Sequence, residues 1–495
     1  MFQKKNKFQK KVIGEVQNYK SYSDMIKPKR RRSFGKVLFV IVCIFLAIFI
    51  GKYLLSFASA ALGQIAKGTV TVVSNSLGDQ MQTDEYGNIN VEIVGYGGEG
   101  HAGSYLADSI IVASFNPKLG VTTMLSIPRD LYVNDTGDGI YGRINEIFSV
   151  WVSSKHDFAN GAWLLSWMLE QILGIKINYY ATIDFWWFKD IIDTLGGITV
   201  DVPESFSDST YPTKDNGYMT VSFTSGVQNM NGETALEYAR SRHSTSDFSR
   251  SLRQQIIMKA IIDKIKSQWL GTVTKLKQLY ANYTSMVKTN VSLKEMIGMA
   301  KYMDKLDNIH SYGLTTECSN ITYKYSSPGC FLYTPDRSLF GWASVMIPDG
   351  SAAGKVDFYD YTKNFASYVI HNQKYLVEWA KISIMNGIDK TVAKQTVKKS
   401  DGFANDIAVK LKKYAFDVVD VRNFSQVISW TTAYILTTGN VDETIKTMKT
   451  FFPILNVEKD PGTLGFETLT GVDLVVVLGN DYLATLVANP FNYYK

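Results

Sequence analysis

An unbroken run of fourteen apolar residues, Val37–Ile50, lies near the beginning of the chain. Gly51 and Lys52 interrupt this run, and a second apolar stretch follows them. A helix needs about 20 residues to cross a bilayer, and a lysine near its end can extend its ammonium to the interface. We therefore predict one membrane-spanning helix over residues 37–57.

The residues just before this run are strongly basic and read Lys-Pro-Lys-Arg-Arg-Arg at Lys27–Arg32. Positive residues beside a span mark its cytoplasmic side. We expect residues 1–36 in the cytoplasm and the body outside, on a single-pass protein of the cell membrane. Ala58-Ser59-Ala60 also fits a cleavage site, so a removed signal peptide is the alternative. Both interpretations place the body outside.

The exported body begins with a small, polar stalk at residues 58–88 and then alternates strand-like and helix-like segments. Ser109–Phe115 and Val121–Ile127 are unbroken apolar runs, which are typical of buried strands, and the Asn-Pro-Lys-Leu-Gly between them indicates a hairpin. Further segments follow, two of strand length and four of helix length: Tyr179–Ile183, Ile198–Val202, Ala162–Leu173, Phe185–Leu195, Gly232–Arg240 and Ser251–Trp269. Strands interleaved with helices predict a layered α/β sheet.

A second, smaller α/β unit is predicted at residues 380–490, after a first domain at residues 89–375. Its strand-like segments and then its helix-like segments are Ile382–Met385, Asp417–Val421, Val472–Leu478, Phe403–Tyr414 and Asp442–Phe452. Their alternation predicts a β-α-β-α-β order.

Composition is that of a globular protein, with 45% hydrophobic and 20% charged residues. The net charge of +6 hides an asymmetry, because residues 1–36 hold nine Lys and three Arg against Glu15 and Asp24. That segment carries +10, which leaves −4 for the remainder. A mildly acidic body argues against a nucleic-acid partner. The chain also lacks the Gly-x-Ser-x-Gly motif of serine hydrolases.

Two of the three cysteines, Cys318 and Cys330, lie twelve residues apart in the exported body. Outside the cytosol they would pair as a disulfide, and the alternative is two free thiols. No His or further Cys lies close to them in sequence, which argues against a zinc site.

The densest polar cluster of the body lies within Tyr238–Gln255. It holds four arginines and one carboxylate: Arg240, Arg242, Arg250, Arg253 and Asp247. Clustered guanidiniums repel one another unless anions lie between them, and arginine binds phosphate oxygens through two parallel hydrogen bonds. The cluster suits a diphosphate, and the alternative is a solvated, salt-bridged helix end.

A second polar cluster, Ser126–Asp130, directly follows a buried strand. Ligands of α/β sheets bind beyond the carboxyl ends of strands, where Arg129 is placed. Arg143 adds another cation, and Asp108 stands at the start of a neighbouring strand. Asp108 would carry Mg²⁺ beside a diphosphate, or form a plain ion pair with an arginine.

Five ordered motifs resemble the LytR–CpsA–Psr family over roughly residues 89–350. They read L-A-D-S-I-I-V, S-I-P-R-D-L, R-I-N, M-N-G-E-T-A-L-E-Y-A-R-S-R-H and D-F-S-R-S-L-R-Q-Q. Residues from about 380 to 485 resemble the C-terminal domain of LytR-type members. The resemblance implies a three-layer α-β-α sandwich with a central mixed sheet, a small α/β C-terminal domain and one N-terminal transmembrane helix.

The resemblance also implies an activity and its residues. A phosphotransferase of this kind moves a glycopolymer, such as teichoic acid or capsule, from a polyprenyl-pyrophosphate carrier to a peptidoglycan hydroxyl and releases polyprenyl phosphate. Matched by motif, the catalytic candidates are Asp108, Arg129, Arg240 and Arg242, with Mg²⁺ or another divalent cation on Asp108. The substrate-binding candidates are Arg143, Asp247, Arg250, Arg253 and Gln254.

One motif departs from the family pattern. Members commonly carry a second Asp in a Gly-x-Asp turn about a dozen residues before the first, but residues 95–101 read Gly-Tyr-Gly-Gly-Glu-Gly-His. Glu99 or His101 would then supply the second metal ligand. The alternative is that Asp108, diphosphate and water hold the metal without them.

A hydrophobic tunnel for the lipid tail is a further implication of the resemblance. The candidates for its lining are Trp163, Trp167, Phe185, Trp186, Phe188 and Ile192, and the alternative for each is ordinary core packing. Two other functions stay open: a non-catalytic receptor for polyprenyl lipids or wall glycans, and transfer of the glycan to a surface protein.

Overall fold

The computed structural model describes residues 80–488, except residues 102, 135–140, 214–216, 242–246, 268–287, 293, 296–301, 303–304, 307, 319–326, 352–355 and 357. The described residues all belong to one compact unit. The predicted tail, the membrane helix and most of the stalk therefore lie outside the described residues. Within the described part of the chain, no helix is long and apolar enough to cross a membrane.

The first sheet and its small companions use the strands up to residue 348. In chain order these are β1 (Ile89–Tyr96), β2 (Ala107–Asn116), β3 (Val121–Ile127), β4 (Tyr132–Val133), β5 (Gly142–Arg143), β6 (Tyr179–Asp184), β7 (Ile198–Val202), β8 (Phe206–Pro212), β9 (Tyr218–Phe223), β10 (Gly226–Met230), β11 (Lys288–Thr289), β12 (Asn308–Gly313), β13 (Leu332–Tyr333) and β14 (Ile347–Pro348). The helices of the same region are α1 (Ile144–Lys155), α2 (Phe158–Leu173), α3 (Phe185–Thr194), α4 (Gly232–Arg240), α5 (Asp247–Ser267), α6 (Asp360–Ala366) and α7 (Lys374–Glu378).

The central sheet has six strands in the order β11-β6-β1-β2-β3-β12. Strands β1 and β6 run parallel, as do β3 and β12, while the β1–β2, β2–β3 and β6–β11 pairs are antiparallel. The apolar run of β3 is buried at all seven positions, as expected for a strand inside a sheet. The predicted mixed α/β fold with a central mixed sheet is confirmed.

Helices pack on both faces of this sheet. Successive side chains of a strand point to opposite faces, so neighbours in sequence join different apolar clusters. Val94 and Ile110 pack in one cluster with Phe148 of α1 and Leu165 of α2. Val91 and Ile111 pack in another cluster with residues of α3 and α5, including Ile192 and Ile261 respectively.

A second sheet follows near the C-terminal end of the described residues. Its strands are β15 (Lys381–Asn386), β16 (Asp417–Asn423), β17 (Thr432–Ile435), β18 (Asn456–Lys459) and β19 (Leu474–Leu478), in the order β16-β15-β19-β17-β18. Its helices are α8 (Lys390–Val397), α9 (Phe403–Lys413), α10 (Asp442–Met448) and α11 (Tyr482–Ala488). The predicted β-α-β-α-β order is incomplete, because the short strands β17 and β18 add two members and β17 runs antiparallel to β19.

The two sheets share one apolar cluster. Phe365 and Leu376, which precede the second sheet, lie in the same cluster as Ile382 and Phe416. The Tyr375 ring stacks on Phe416 with centroids 4.9 Å apart. Packing across this junction therefore links the second sheet to the first.

Cys318 and Cys330 form a disulfide with their Cα atoms 5.1 Å apart. Of the two alternatives that the sequence left open, the structure has the disulfide. Cys330 is fully buried, so the bond fastens the loop after β12 to the interior.

Candidate functional site

Asp108 and Arg129 contact each other where β2 begins and β3 has ended. The β2–β3 ladder pairs Ile110 with Ile127, and the same antiparallel register continued by two residues places Asp108 opposite Arg129. Arg129 Nη1 donates to Asp108 Oδ1. The Asp108 side chain is 32% exposed and the Arg129 side chain is 22% exposed, so a ligand can reach the pair from solvent.

Further charges extend this pair into a chain of alternating sign. Arg129 Nε lies 3.6 Å from Asp130 Oδ2, and Arg143 Nη1 lies 3.6 Å from Asp130 Oδ1. Arg143 Nη2 also contacts Glu146 Oε1 at 2.8 Å. The predicted cations Arg129 and Arg143 are thus brought together. Asp130 and Glu146 were not among the candidate site residues, although Asp130 directly follows Arg129 and Glu146 lies three residues after Arg143.

Arg240 is the last residue of α4, a helix whose start is capped by Asn231 accepting from Thr234 N at 2.9 Å. Its guanidinium lies over the ring of Phe185, 4.3 Å from the centroid, and 5.5 Å from the centroid of Tyr211. Arg240 Nη1 is 3.5 Å from the Tyr211 hydroxyl. Burial raises the pKa of Tyr211, and the neighbouring Arg240 opposes that rise. Two aromatic rings therefore orient this arginine.

Phe185 also joins Arg240 to the glycine-rich turn after β1. The parallel register pairs Tyr96 with Asp184, so the residues that follow both strands lie at the same edge of the sheet. The ring of His101 meets Phe185 edge-on at 5.4 Å. A Cβ on Gly97 would lie 3.0 Å from the Cβ of His101, so His101 occupies the space beside that glycine.

Glu99, the other candidate in this turn, is exposed. The pKa of Tyr105 is raised by burial first and then by the charges of Glu99 and Asp184. Burial also raises the pKa of Asp184, which accepts from Trp187 N at 2.8 Å and caps α3. Asp184 is a carboxylate of this edge that the sequence reasoning missed, although its position after a predicted strand could have signalled it.

Gln254 of α5 lies against β2 beside Asp108. Ser109 Oγ donates to Gln254 Oε1 at 2.9 Å. The next residue, Gln255, is buried and donates to Ser126 Oγ at 2.8 Å and to the Tyr312 carbonyl at 2.7 Å. These contacts fasten the first turns of α5 to the sheet and bring the predicted Gln254 to the Asp108 edge.

Arg253 is buried and serves the backbone of α4. Its Nε donates to the Tyr238 carbonyl at 3.0 Å, and its Nη2 donates to the Ser241 carbonyl. Burial lowers its pKa, and its guanidinium lies 4.7 Å from the Phe206 centroid. Arg250 is also buried. These contacts hold the end of α4, and with it Arg240, against α5.

Two further predicted residues, Arg242 and Asp247, lie between the end of α4 and the first turn of α5. Arg242 lies outside the described residues. Asp247 is the first residue of α5, and its side chain lies outside the described part of the structure.

The structure does not bring the six tunnel candidates together. Trp163 is exposed and Trp167 packs against the cluster on the α2 face of the sheet. Phe188 and Ile192 pack on the opposite face, and Trp186 is exposed. Phe185 lies under Arg240 instead. These six residues therefore do not line one common tunnel.

The donor set limits how a divalent cation could bind. Among the described residues, no group of three His, Cys, Asp or Glu side chains is arranged to hold a metal ion. Asp108 offers one carboxylate at the site edge. Mg²⁺ is commonly held by one or two carboxylates together with substrate phosphates and water, so these residues fit a cation that arrives with a diphosphate.

Comparison with known proteins finds named teichoic acid transferases among the relatives of this chain. A polyisoprenyl-teichoic acid–peptidoglycan teichoic acid transferase TagU of Bacillus licheniformis is 30% identical over 282 residues, 55% of this chain and 83% of the relative. A transferase of the same description, TagV of Bacillus subtilis, is 31% identical over 246 residues, 49% of this chain and 59% of the relative. The crystal structure of B. subtilis TagV is 26% identical, with a TM-score of 0.41, and covers 57% of this chain and 97% of that chain.

The LytR_cpsA_psr family model matches residues 58–331, more than half of the chain. The matched residues include Asp108, Arg129, Arg143, Arg240 and Gln254, which carry the contacts described above. This chain belongs to the LytR_cpsA_psr family.

Proposed function

We propose that this protein is a phosphotransferase that moves a glycopolymer from a polyprenyl-diphosphate carrier to a hydroxyl of peptidoglycan. The observation that carries the proposal is the Arg129–Asp108 pair, extended by Arg143, at one edge of the central sheet. Arginines paired with carboxylates at a partly exposed edge can exchange those partners for phosphate oxygens. The relatives named as teichoic acid transferases support a reaction of this kind.

The reaction balances without a further reactant. The acceptor hydroxyl oxygen attacks the phosphorus that bears the glycan, and the bond from that phosphorus to the bridging oxygen breaks. Polyprenyl phosphate leaves with the bridging oxygen, and the hydroxyl proton passes to a base. The protein's contribution in such a transfer is positioning and stabilisation of charge.

The arginines supply the charge stabilisation in this proposal. Arg129 and Arg143 would bind the diphosphate from one side and Arg240 from the other, with Gln254 beside them. Phe185 and Tyr211 orient Arg240, which lowers the entropy that its side chain would otherwise lose on binding. Asp108 is the proposed base or metal ligand, since it lies at the same edge and is released once Arg129 turns to phosphate.

Mg²⁺ is part of the proposal as a cation that binds with the substrate. Asp108 would hold it, with the diphosphate and water supplying the other oxygens. When bound, such an ion neutralises charge on the diphosphate oxygens. His101, beside Gly97, remains the proposed additional ligand, whereas Glu99 is the weaker choice because it is exposed.

The proposed location is the outer side of the cell membrane. The apolar run at residues 37–57 and the basic residues before it support a single anchor with a cytoplasmic N-terminus. The Cys318–Cys330 disulfide supports an oxidising compartment for the body. Residues 89–375 would form the catalytic domain, a three-layer α-β-α sandwich, and residues 380–490 the C-terminal domain packed against it.

The test is an assay of the full chain in detergent with a polyprenyl-diphosphate-linked glycan, peptidoglycan fragments and Mg²⁺. Mass spectrometry would follow polyprenyl phosphate and glycan-bearing peptidoglycan for the parent, Asp108→Ala and Arg240→Ala. Arg422→Ala is the matched control, because Arg422 pairs with Asp420 on the second sheet, away from the site.

Both products should form, and both should depend on Asp108 and Arg240 but not on Arg422. Carrier release without glycan on peptidoglycan would instead favour transfer to a surface protein. Donor binding that is lost in Arg240→Ala, without any release, would identify a receptor.

A further inference from the structure

Tyr132 lies beside Arg143 as its ladder partner. We give the name aromatic face to Tyr132 together with Tyr141 and Phe340, which lie near it, and Trp342, which follows Phe340 by two residues. The rings of Tyr132 and Phe340 meet at 4.8 Å with an interplanar angle of 66°. The pKa of Tyr132 is raised by burial and by the neighbouring Tyr141 and Glu146, which places Tyr141 close to it. Trp342 is 78% exposed. Tyr132 and Phe340 are therefore held by packing against each other, whereas Trp342 is exposed to solvent.

Backbone hydrogen bonds couple the aromatic face to the arginine site. Met346 N donates to the Asp130 carbonyl at 3.0 Å, and Tyr132 N donates to the Met346 carbonyl at 2.8 Å. Tyr132 is also the ladder partner of Arg143, so the two side chains lie side by side on one ribbon. The segment that carries Trp342 is thus held in place by the same residues that position Arg129 and Arg143.

Packing does not explain the position of Trp342. Its φ is +67°, directly after Gly341 at +62°, at the end of a short 3-10 turn that Asp336 caps. A bulky side chain is strained at such a φ, and residues held in that way are concentrated at functional sites. Because most of the Trp342 ring is in solvent, burial does not offset the strain.

We propose that the aromatic face binds the first sugars of the glycan that the diphosphate carries. This inference rests on the proposed function. The first sugar is bonded to the diphosphate, so it must lie within a bond or two of the phosphate that Arg129 and Arg143 hold. The face of a pyranose ring presents C–H groups with partial positive charge, which complement the negative face of an aromatic ring.

The surroundings favour a sugar over a bilayer as the occupant. Exposed polar residues flank the exposed Leu339 and Trp342 and can bind sugar hydroxyls: Asp336, Arg337, Ser338 and Ser344. A segment that enters a membrane surface combines a continuous apolar face with many Lys and Arg. The segment lies just beyond the family-matched residues 58–331.

The experiment measures binding by the full chain in detergent to two probes. One is a polyprenyl diphosphate that carries an N-acetylhexosamine disaccharide, and the other is the same polyprenyl diphosphate without sugar. Trp342→Ala should weaken the affinity for the sugar-bearing probe about fivefold, the size of one aromatic stacking contact. The affinity for the sugar-free probe should stay unchanged. Trp342→Phe should retain most of the affinity. Trp430→Ala is the matched control, since Trp430 is 56% exposed beside the second sheet.

A glycine variant separates binding from stability. Trp342→Gly should raise the melting temperature, because glycine adopts a positive φ without strain. It should also weaken the affinity for the sugar-bearing probe as much as Trp342→Ala does. Loss of affinity together with a gain in stability would show that the ring acts on the ligand and not on the fold.

Several outcomes would overturn the inference, and they differ from failure of the proposed function. If Trp342→Ala lowers the affinity for both probes equally, the Trp342 ring contacts the lipid diphosphate and not the sugar. Binding to peptidoglycan fragments and to anionic phosphatidylglycerol vesicles is measured in parallel. If Trp342→Ala weakens only one of these, the face belongs to the acceptor or to the membrane, respectively. If the parent binds neither lipid probe, the proposed function fails and this inference fails with it.

Discussion

Asp108 and Arg129 face each other across the adjoining ends of two antiparallel strands, with Arg129 Nη1 donating to Asp108 Oδ1. Both side chains are partly exposed. Exposed ion pairs contribute about 0–1 kcal/mol to stability, because water solvates the separated charges nearly as well. The pair is therefore expected to contribute little to the free energy of folding.

The first prediction is that this pair matters little for stability. Asp108→Ala and Arg129→Ala should each change the free energy of unfolding by about 1 kcal/mol or less. Urea denaturation followed by circular dichroism measures this change, with Arg422→Ala as the surface comparison. A loss of several kcal/mol in either variant would show that the pair is structural.

The second prediction separates two arginines of one cluster. Arg253→Ala should destabilise the fold by roughly 2–4 kcal/mol, because the carbonyls of Tyr238 and Ser241 lose a charged donor in a buried place. Arg240→Ala should change stability by less than about 1 kcal/mol, because a cation–π contact at a partly exposed site contributes little. Thermal denaturation of both variants checks this. The reverse order of the two effects would contradict the assigned roles.

The third prediction concerns Glu92, which lies buried at the centre of β1. Ser166 Oγ donates to its Oε2, while its Oε1 has no hydrogen-bond partner among the described residues. Burial raises the pKa of Glu92 from 4.5 to about 8, and the nearby Glu170 adds to the rise. Folding therefore takes up a proton between these two pH values, and this term lowers stability as pH rises through that window.

Glu92→Gln removes the titration while keeping the shape of the side chain. Relative to the parent, the free energy of unfolding of the variant should rise by roughly 1.4 kcal/mol per pH unit across the window. Above the window the difference should level off. Urea denaturation at several pH values between about 5 and 8 measures the difference. Glu467→Gln, at an exposed position, is the control and should show no such slope. A constant difference for Glu92→Gln would mean that Glu92 is charged in the folded protein.

The fourth prediction concerns the disulfide. Removing the Cys318–Cys330 bond with a double substitution to Ala should cost about 3 kcal/mol, as expected for a loop of this length. Dithiothreitol should lower the melting temperature of the parent to a similar extent and leave the double variant unchanged. An unchanged parent under reducing conditions would show that the cysteines are unpaired in the protein.

Much of the framework could be predicted where a strong local pattern ends at a clear signal. Val121–Ile127 and Ile198–Val202 have the predicted bounds, because each is an apolar, β-branched run that ends just before a proline. Helix α4 likewise has its predicted bounds, with Asn231 as its capping residue. Local chemistry is sufficient in these segments.

Other elements carried no such signal. Helix α1 was missed because its N-cap, Arg143, makes no side-chain capping hydrogen bond, so the sequence has no start marker. The β8–β9 hairpin was missed because its strands mix Ser, Thr and Asp with few apolar positions. Tyr211 lies in that hairpin, and only the tertiary fold brings it to Arg240.

The tunnel candidates show a further limit. Trp167 of α2 and Phe188 of α3 belong to similar aromatic stretches in sequence, yet they pack on opposite faces of the sheet. The face that a helix covers depends on how the chain crosses the sheet between strands. That crossing is a property of the topology, which no helical pattern encodes.

The most direct test of the central claim is the rate of polyprenyl phosphate release from a polyprenyl-diphosphate-linked glycan. The full chain, Arg129→Ala and Arg422→Ala would be compared by ³¹P NMR. We predict a loss of about 100-fold or more for Arg129→Ala, as for removal of one preorganised charge-stabilising donor, and an unchanged rate for Arg422→Ala. Equal rates for all three proteins would contradict the claim that Arg129 and Asp108 mark a diphosphate site.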